Sequence, residues 1–309
     1  MSGKPASSRQ DNRIMPQLTN SPIDLHARLI ILAAAIGFMT LEYAFARFTA
    51  HERHDLRESA ASLGVALGRS LLRGAEALIM AGPYAFAYEH RLLEFDPTSA
   101  LALVALFIGV EFFYYWDHRA SHRVRWLWAT HSVHHSPTRM NYTAAVRLGW
   151  TAGLSGNFLF FLPLAFIGFH PIAIALMLTG NLLYQFFIHT ELCPRLGALE
   201  YLLNTPAHHR VHHASNESCL DRNYGGVLIL FDRLFGTFAE APKQEALRYG
   251  LVGGSPSFNP LKIALGEWAA MFRDAASAAD WRAALRTLLA PPGASEETPR
   301  PGAAKAIPA

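Results

Sequence analysis

The chain has 309 residues, of which 51% are hydrophobic and only 17% charged, with a formal net charge of +3. That apolar surplus points to an integral membrane protein rather than two soluble domains. Two cysteines, Cys193 and Cys219, are too few for a disulfide framework, and a small positive charge explained by arginines beside apolar stretches gives no ground for a nucleic-acid partner.

Residues 1–27 are polar, carry Pro5, Pro16 and Pro22, and show no cleavable signal pattern. Region 28–97 is read as N-terminal membrane and interfacial helices. Within it, Leu29–Phe48 has span length despite Glu42, whereas 74–88 is apolar but short, is interrupted by Glu76 and Pro83, and either spans or lies in the interface. Residues 98–116 form the next predicted span and carry Glu111. A carboxylate at such depth is costly and must face protein, so Glu111 turns either toward the histidines that follow or toward a buried arginine. Residues 148–169 and 171–188 contain no charge, and His170-Pro171 marks their boundary. Proline there stops one helix and starts the next, which predicts a tight helical hairpin that crosses the bilayer and returns.

Histidines crowd the segments around this hairpin: His118 and His122, then His131, His134 and His135, and later His208, His209, His212 and His213. On a helix, residues three and four apart share a face, so each set presents its imidazoles to one side. Left without partners near a membrane, such nitrogens cost roughly 1–3 kcal/mol each. Metal ligation resolves that cost, although imidazole suits iron, zinc and copper alike. The isolated His26, His51, His54, His90 and His170 are read as ordinary surface or core residues.

Arg119, Arg123, Arg125, Arg139 and Arg147 lie near the first sets, and Arg210, Arg222, Arg233, Lys243 and Arg248 near the last. Positive-inside bias puts both regions in the cytoplasm. Lys4, Arg9, Arg13 and Arg28 favour the same side for the N-terminus, which requires one of the three early apolar segments not to cross. Trp116, Trp126, Trp128 and Trp150 are expected to form an interfacial belt. Arg139, Arg147 and Arg210 either meet a lipid phosphate or carboxylate or are structural. Asp117, Asn204, Asn216, Asp221, Asn223 and Tyr224 either orient imidazoles by hydrogen bonding or serve turns and caps. Residues 241–290 are a helical extension, with one amphipathic helix over 261–289 carrying Trp268, Phe272, Trp281 and Leu285 on its apolar side, and 291–309 a disordered tail.

The spacings His118-x3-His122, His131-x2-His134-His135 and His209-x2-His212-His213 around a hydrophobic hairpin resemble the fatty acid hydroxylase and sterol desaturase superfamily of membrane di-iron enzymes. Residues 98–240 correspond to its catalytic domain. The runs NTPAHHRVHH at 204–213, DRNYGG at 221–226 and FDRLFGT at 231–237 most resemble the branch that includes alkylglycerol monooxygenase and bacterial sterol-desaturase-like proteins. The resemblance implies metal ligation by His118, His122, His131, His134, His135, His209, His212 and His213. A further ligand pair of some relatives aligns with Gln185 and His189, so His189 is a ninth ligand and Gln185 a departure that leaves a position open or water-filled. His208 is either a ligand or a hydrogen-bond donor to one.

The expected architecture is all-α: an integral membrane bundle of four or five hydrophobic helices under a cytoplasmic helical cap holding a histidine-rich dimetal site, in a bacterial inner membrane. The implied activity is oxygen-dependent di-iron hydroxylation or desaturation at a C–H bond of a sterol, ether lipid, fatty acyl chain or other membrane lipid. No nicotinamide, flavin or haem module is visible, so electrons come from a partner such as a ferredoxin or cytochrome. A transition-metal transporter or sensor is the competing reading, and a metal-stabilised scaffold without turnover a third. The histidine sets follow the spans instead of lying at the bilayer midplane, and the charge-free hairpin offers no ionic path, which disfavours transport.

Overall fold

The computed structural model describes residues 25–49, 54–96 and 98–294. The expectations for residues 1–24 and 295–309 lie outside them. The described residues are mostly helical, with only two isolated β-bridges, Leu203 to Leu228 and Ala214 to Tyr249. Three helices are long and apolar enough to cross a membrane: α1 (Leu25–Phe48), through its stretch Leu29–Phe48, then α3 (Ala100–Arg123) and α8 (Pro171–Ile188). Their outward residues, such as Ile30, Leu101 and Leu176, are exposed, as lipid-facing side chains must be.

Between α1 and α3 runs α2 (Leu56–Glu89), a continuous 34-residue helix that carries Pro83 within it and absorbs the segment 74–88. Its first turn is capped by Asp55 and its Glu58 accepts from Thr138 near the histidines. Its far end leads to Leu92, whose N–H donates to Phe166 O. Near the histidine end of α1, Glu42 accepts from Tyr142 N and Thr190 Oγ1. The three early helices thus alternate between the two ends; of these segments, expected to include one that does not cross, α1 and α3 have the length and apolarity of spans and α2 does not.

The predicted hairpin keeps its course but not its helicity. Its first arm is broken into α6 (Ala152–Ser155), a 3₁₀ turn (Asn157–Phe161) and α7 (Leu162–Ile167). Gly156 sits at φ +88, a left-handed conformation that ends α6, and Asn157 is turned to donate to Asp117 Oδ1 and Ser121 Oγ on α3. The arm still runs the length of α3, since Phe169 stacks on Phe95 just before that helix. Absence of charge reported the apolar surroundings of 148–169 and said nothing about an unbroken helix. A core of Leu106, Val110, Phe161, Leu164 and Ile174 fills the space between the arm, α3 and α8. Between spans such packing is held by close van der Waals contact, since lipid tails are as apolar as these side chains.

Over the histidine end lies a cap formed by α4 (Arg125–His135), α5 (Tyr142–Ala145) and α9 (Pro206–His213), while α10 (Leu230–Leu234) packs beside α3. The extension 261–289 is two helices, α11 (Pro260–Ala276) and α12 (Trp281–Leu289), with Asp280 capping the second. Trp268 is buried against Trp126, while Trp281 is 71% exposed. The break at 277–280 therefore divides the expected apolar face. Arg125 Nε and Nη2 reach Glu267 and Asp274 of α11 at 3.0 and 2.8 Å, fixing α4 from outside. Residues 291–294 form a turn rather than the expected disordered start of the tail.

Candidate metal centre

Two groups of imidazoles face each other inside the cap. One consists of His118, His122, His131, His135 and His212; the other of His134, His189, His209 and His213; within each, one nitrogen per ring lies within 4.8 Å of all the others. Helical spacing explains the division. On α4, His131 and His135 are one turn apart and serve the first group while His134 faces the second; on α9, His209 and His213 serve the second while His212 faces the first. His118 and His122 come from the last turns of α3, which continues past the predicted span, and His189 caps the C-terminus of α8. The groups adjoin, since His135 and His213 stack at 4.4 Å.

Three rings are oriented by backbone carbonyls. His118 Nδ1 donates to Tyr224 O at 2.7 Å, His212 Nδ1 to Arg222 O at 2.8 Å, and His189 Nδ1 to Gln185 O at 2.6 Å. Each bond fixes the proton on Nδ1 and leaves Nε2 bare. The bare nitrogens approach each other closely: His131 Nε2 is 3.0 Å from His118 Nε2 and 3.1 Å from His135 Nε2, and His189 Nε2 is 3.0 Å from His209 Nε2 and 3.1 Å from His134 Nε2. Imidazoles bond a transition ion at about 2.1 Å, so two on one ion stand about 3.0–3.4 Å apart. The donor set therefore fits a metal in each group.

Burial points the same way. The Nε2 atoms of His122, His212 and His213 are buried without a hydrogen-bond partner. Desolvation, reinforced by neighbouring imidazoles, holds His131, His135, His209, His212 and His213 well below the ordinary histidine range; burial likewise depresses His189, and lowers His134 to about 4. These rings are neutral at pH 7, the form that binds metal.

His208 falls in neither group; it is buried against Phe238. His54, His90 and His170 also stand apart, while the His26 side chain and His51 lie outside the described residues. Gln185 reaches neither group with its side chain, which accepts from Tyr114 Oη and donates to Asn181 Oδ1. Its carbonyl is what touches His189. Glu111 meets neither histidine nor arginine: it accepts from Asn181 Nδ2 and from the N–H groups of Val227 and Leu228.

Among the polar neighbours, Asp221 Oδ1 lies 3.8 Å from His122 Nδ1 and its Oδ2 accepts from Arg123 at 2.7 Å. Asp117 instead holds Asn157. Asn204 donates to Gly225 O, Asn216 to Ala246 O, and Asn223 to His208 O and Ala239 O, so these three stitch loops together without touching a ring nitrogen. The expected tryptophan belt is largely core. Trp126 donates to Ser155 O, Trp150 donates to Val65 O, and Trp128 is buried. Arg147 is buried 3.5 Å from Glu58, and Arg210 donates to Thr190 O and Cys193 O, so both are structural. Sequence reasoning missed the carbonyls of Gln185, Arg222 and Tyr224, because every residue carries a carbonyl; only the run DRNYGG hinted at them.

Residues 103–237 match the family model described as fatty acid hydroxylase. Over that segment the chain is similar to the fatty acid hydroxylase family. It is 39% identical over 219 residues to an alkylglycerol monooxygenase of Xenopus tropicalis, covering 71% of this chain and 48% of the relative. It is 43% identical over 181 residues to the alkylglycerol monooxygenase of Homo sapiens, covering 58% and 40%. An ornithine lipid hydroxylase of Rhizobium tropici shares 29% identity over 158 residues, covering 51% and 47%. The chain thus spans about half or less of the length of these relatives. No solved structure matches it. All nine grouped histidines lie within the segment that matches the fatty acid hydroxylase family.

Proposed function

We propose that the chain is an oxygen-dependent di-iron lipid hydroxylase whose metals are held by His118, His122, His131, His135 and His212 on one side and His134, His189, His209 and His213 on the other. The observation that carries this reading is the pair of adjoining groups with bare, buried ring nitrogens. Iron is preferred to zinc because nine imidazoles exceed the four ligands of a closed structural zinc site, and because the family's chemistry is hydroxylation. The names of the relatives, monooxygenase and hydroxylase, favour an alcohol product over an alkene, and an ether-linked glycerolipid or a lipid with a polar head group as substrate.

When bound, the two irons would supply the oxidant that breaks an unactivated C–H bond, with dioxygen, two electrons from a ferredoxin or cytochrome and two protons from solvent giving one alcohol and one water. The protein's part is positional. The carbonyls of residues 185, 222 and 224 hold three rings in the ligating tautomer. Tyr114 packs 5.4 Å from His118 and borders the site on its membrane side. On the opposite side, His122, His135, His212 and His213 meet a cavity of about 70 Å³ completed by Trp128, Asp221, Leu251 and Pro291. The cavity has room for several waters and suits water or dioxygen, with a lipid carbon approaching from the membrane side. The arginines Arg119, Arg123, Arg139, Arg210 and Arg222 support a cytoplasmic site.

Comparison of total lipids from cells bearing the wild-type chain, His209→Ala, or no chain tests this directly. An ether lipid or other head-group lipid heavier by one oxygen should occur only with the wild type and only under air. Absence of any such species across several lipid backgrounds with a competent electron donor contradicts the proposal.

A further inference from the structure

Outside the spans, large apolar side chains cluster on the surface near α3 and α8. Tyr201 is 73% exposed and Leu234 68%, and Leu199, Leu202 and Leu230 are exposed beside them. They belong to one folded unit. The 3₁₀ turn Gly197–Tyr201 is tied to α10 by Ile229 N donating to Leu202 O at 3.0 Å, by Asn204 N donating to Val227 O at 2.8 Å, and by Arg233 Nη2 donating to Glu200 O at 3.1 Å.

The position of this unit along the spans is fixed by its inner side. Val227 and Leu228 donate to Glu111 Oε2 at 2.9 and 2.8 Å; Phe231 lies 5.7 Å from Phe112, and Phe235 stacks 5.2 Å from Tyr115. Asn181 of α8 meets the same Glu111. Glu111 precedes His118 by seven residues and Asn181 precedes Ile188 by seven, each about 10 Å of helix toward the bilayer. The unit therefore sits beside the apolar parts of two spans, below the level of the histidines.

Irregular backbone is tolerated at such depth only when its polar groups are satisfied internally. Here they are. Glu111 takes two N–H groups, Asp232 takes those of Tyr224 and Gly225, and Asn204 Nδ2 donates to Gly225 O. Asp232, the acidic residue of α10, is fully buried, leaving Leu230 and Leu234 outward. At the edge, Arg233 stacks 3.8 Å over Phe238 and Arg119 lies 5.5 Å over Trp116, the arginine–aromatic pairing suited to head-group level.

We propose that residues 197–203 and 227–235 form a lobe immersed in the acyl chains of the leaflet nearest the histidines, continuous with the lipid-facing surfaces of α3 and α8. The assignment rests on reading α3 and α8 as membrane spans. It gives the cap a membrane anchor that does not cross, next to the route by which a lipid would reach the metals.

Spin labels on single cysteines test it in the full chain reconstituted into phosphatidylcholine vesicles, with Cys193→Ser removing the accessible native thiol. Leu234→Cys and Tyr201→Cys carry the test labels, Leu182→Cys on α8 is the span reference and Lys243→Cys the aqueous reference. Labels at 234 and 201 should collide with oxygen several-fold more than with a water-soluble nickel chelate, as the label at 182 does. Preference for nickel at 234 and 201, with oxygen still preferred at 182, overturns the lobe and leaves the spans intact. Weak collision with both reagents means that protein covers the patch, a second copy or another chain, and also overturns it. Preference for nickel at 182 overturns the span reading and the lobe with it.

Discussion

At the residue scale, the histidines are held by a strained loop. Asp221 and Asn223 both adopt left-handed backbone, at φ 59 and 58, which alternates with Arg222 and Tyr224 and aims the carbonyls of those two at His212 and His118. Non-glycine residues pay roughly 1–2 kcal/mol for that conformation, and Asn and Asp pay least. Asn223 offsets the strain by donating to His208 O and Ala239 O and accepting from Ala239 N. Asn223→Ala should destabilise the protein by roughly 2 kcal/mol or more and lower metal content, with the five-histidine group affected first. Thermal unfolding and metal analysis of the purified variant check this; full metal content contradicts it. By contrast, Gln185→Ala removes a side chain that is hydrogen-bonded to Tyr114 and Asn181 and leaves its carbonyl on His189. Metal content should hold while stability falls by roughly 1–3 kcal/mol, the cost of the partners left buried. The ligand candidates were legible because i, i+3, i+4 spacing is a direct image of a helix face. Their carbonyl partners were not, since left-handed backbone at 221 and 223 depends on how the loop meets α9.

At the element scale, α4 is short, and its N-cap Val124 makes no side-chain cap bond. Its position comes from α11. Arg125→Ala leaves Glu267 and Asp274 without their buried partner and should cost about 3 kcal/mol, seen as a lower melting temperature. An unchanged melting temperature would show that Trp126 and Trp268 alone fix α4. The spans α1, α3 and α8 were readable because length and hydropathy both report them. The break at Gly156 and the division of 261–289 were not, because apolar composition is shared by buried 3₁₀ turns and helices. Glu111 illustrates the same limit: depth required a protein partner, but the partner is a pair of backbone N–H groups more than a hundred residues away.

At the scale of the whole molecule, burying neutral imidazoles links stability to pH. His134 is depressed to about 4, and the histidines of the cap lie below the ordinary value of about 6.5. The unfolded chain takes up protons below about pH 6.5 while the folded chain does not, so stability is fully present above that pH and is lost as pH falls toward 4. In detergent, the melting temperature of metal-free protein should fall steadily between pH 6.5 and 4. A flat profile there would mean that the rings are solvated in the fold.

A two-metal centre divided between two histidine groups sets the iron that each chain can carry. Protein purified from iron-supplied cells should carry about two irons per chain, and His122→Ala and His209→Ala, one from each group, should each retain about one or less. Two irons retained in both variants would contradict the division, and a wild-type protein that binds no transition metal would contradict the centre itself.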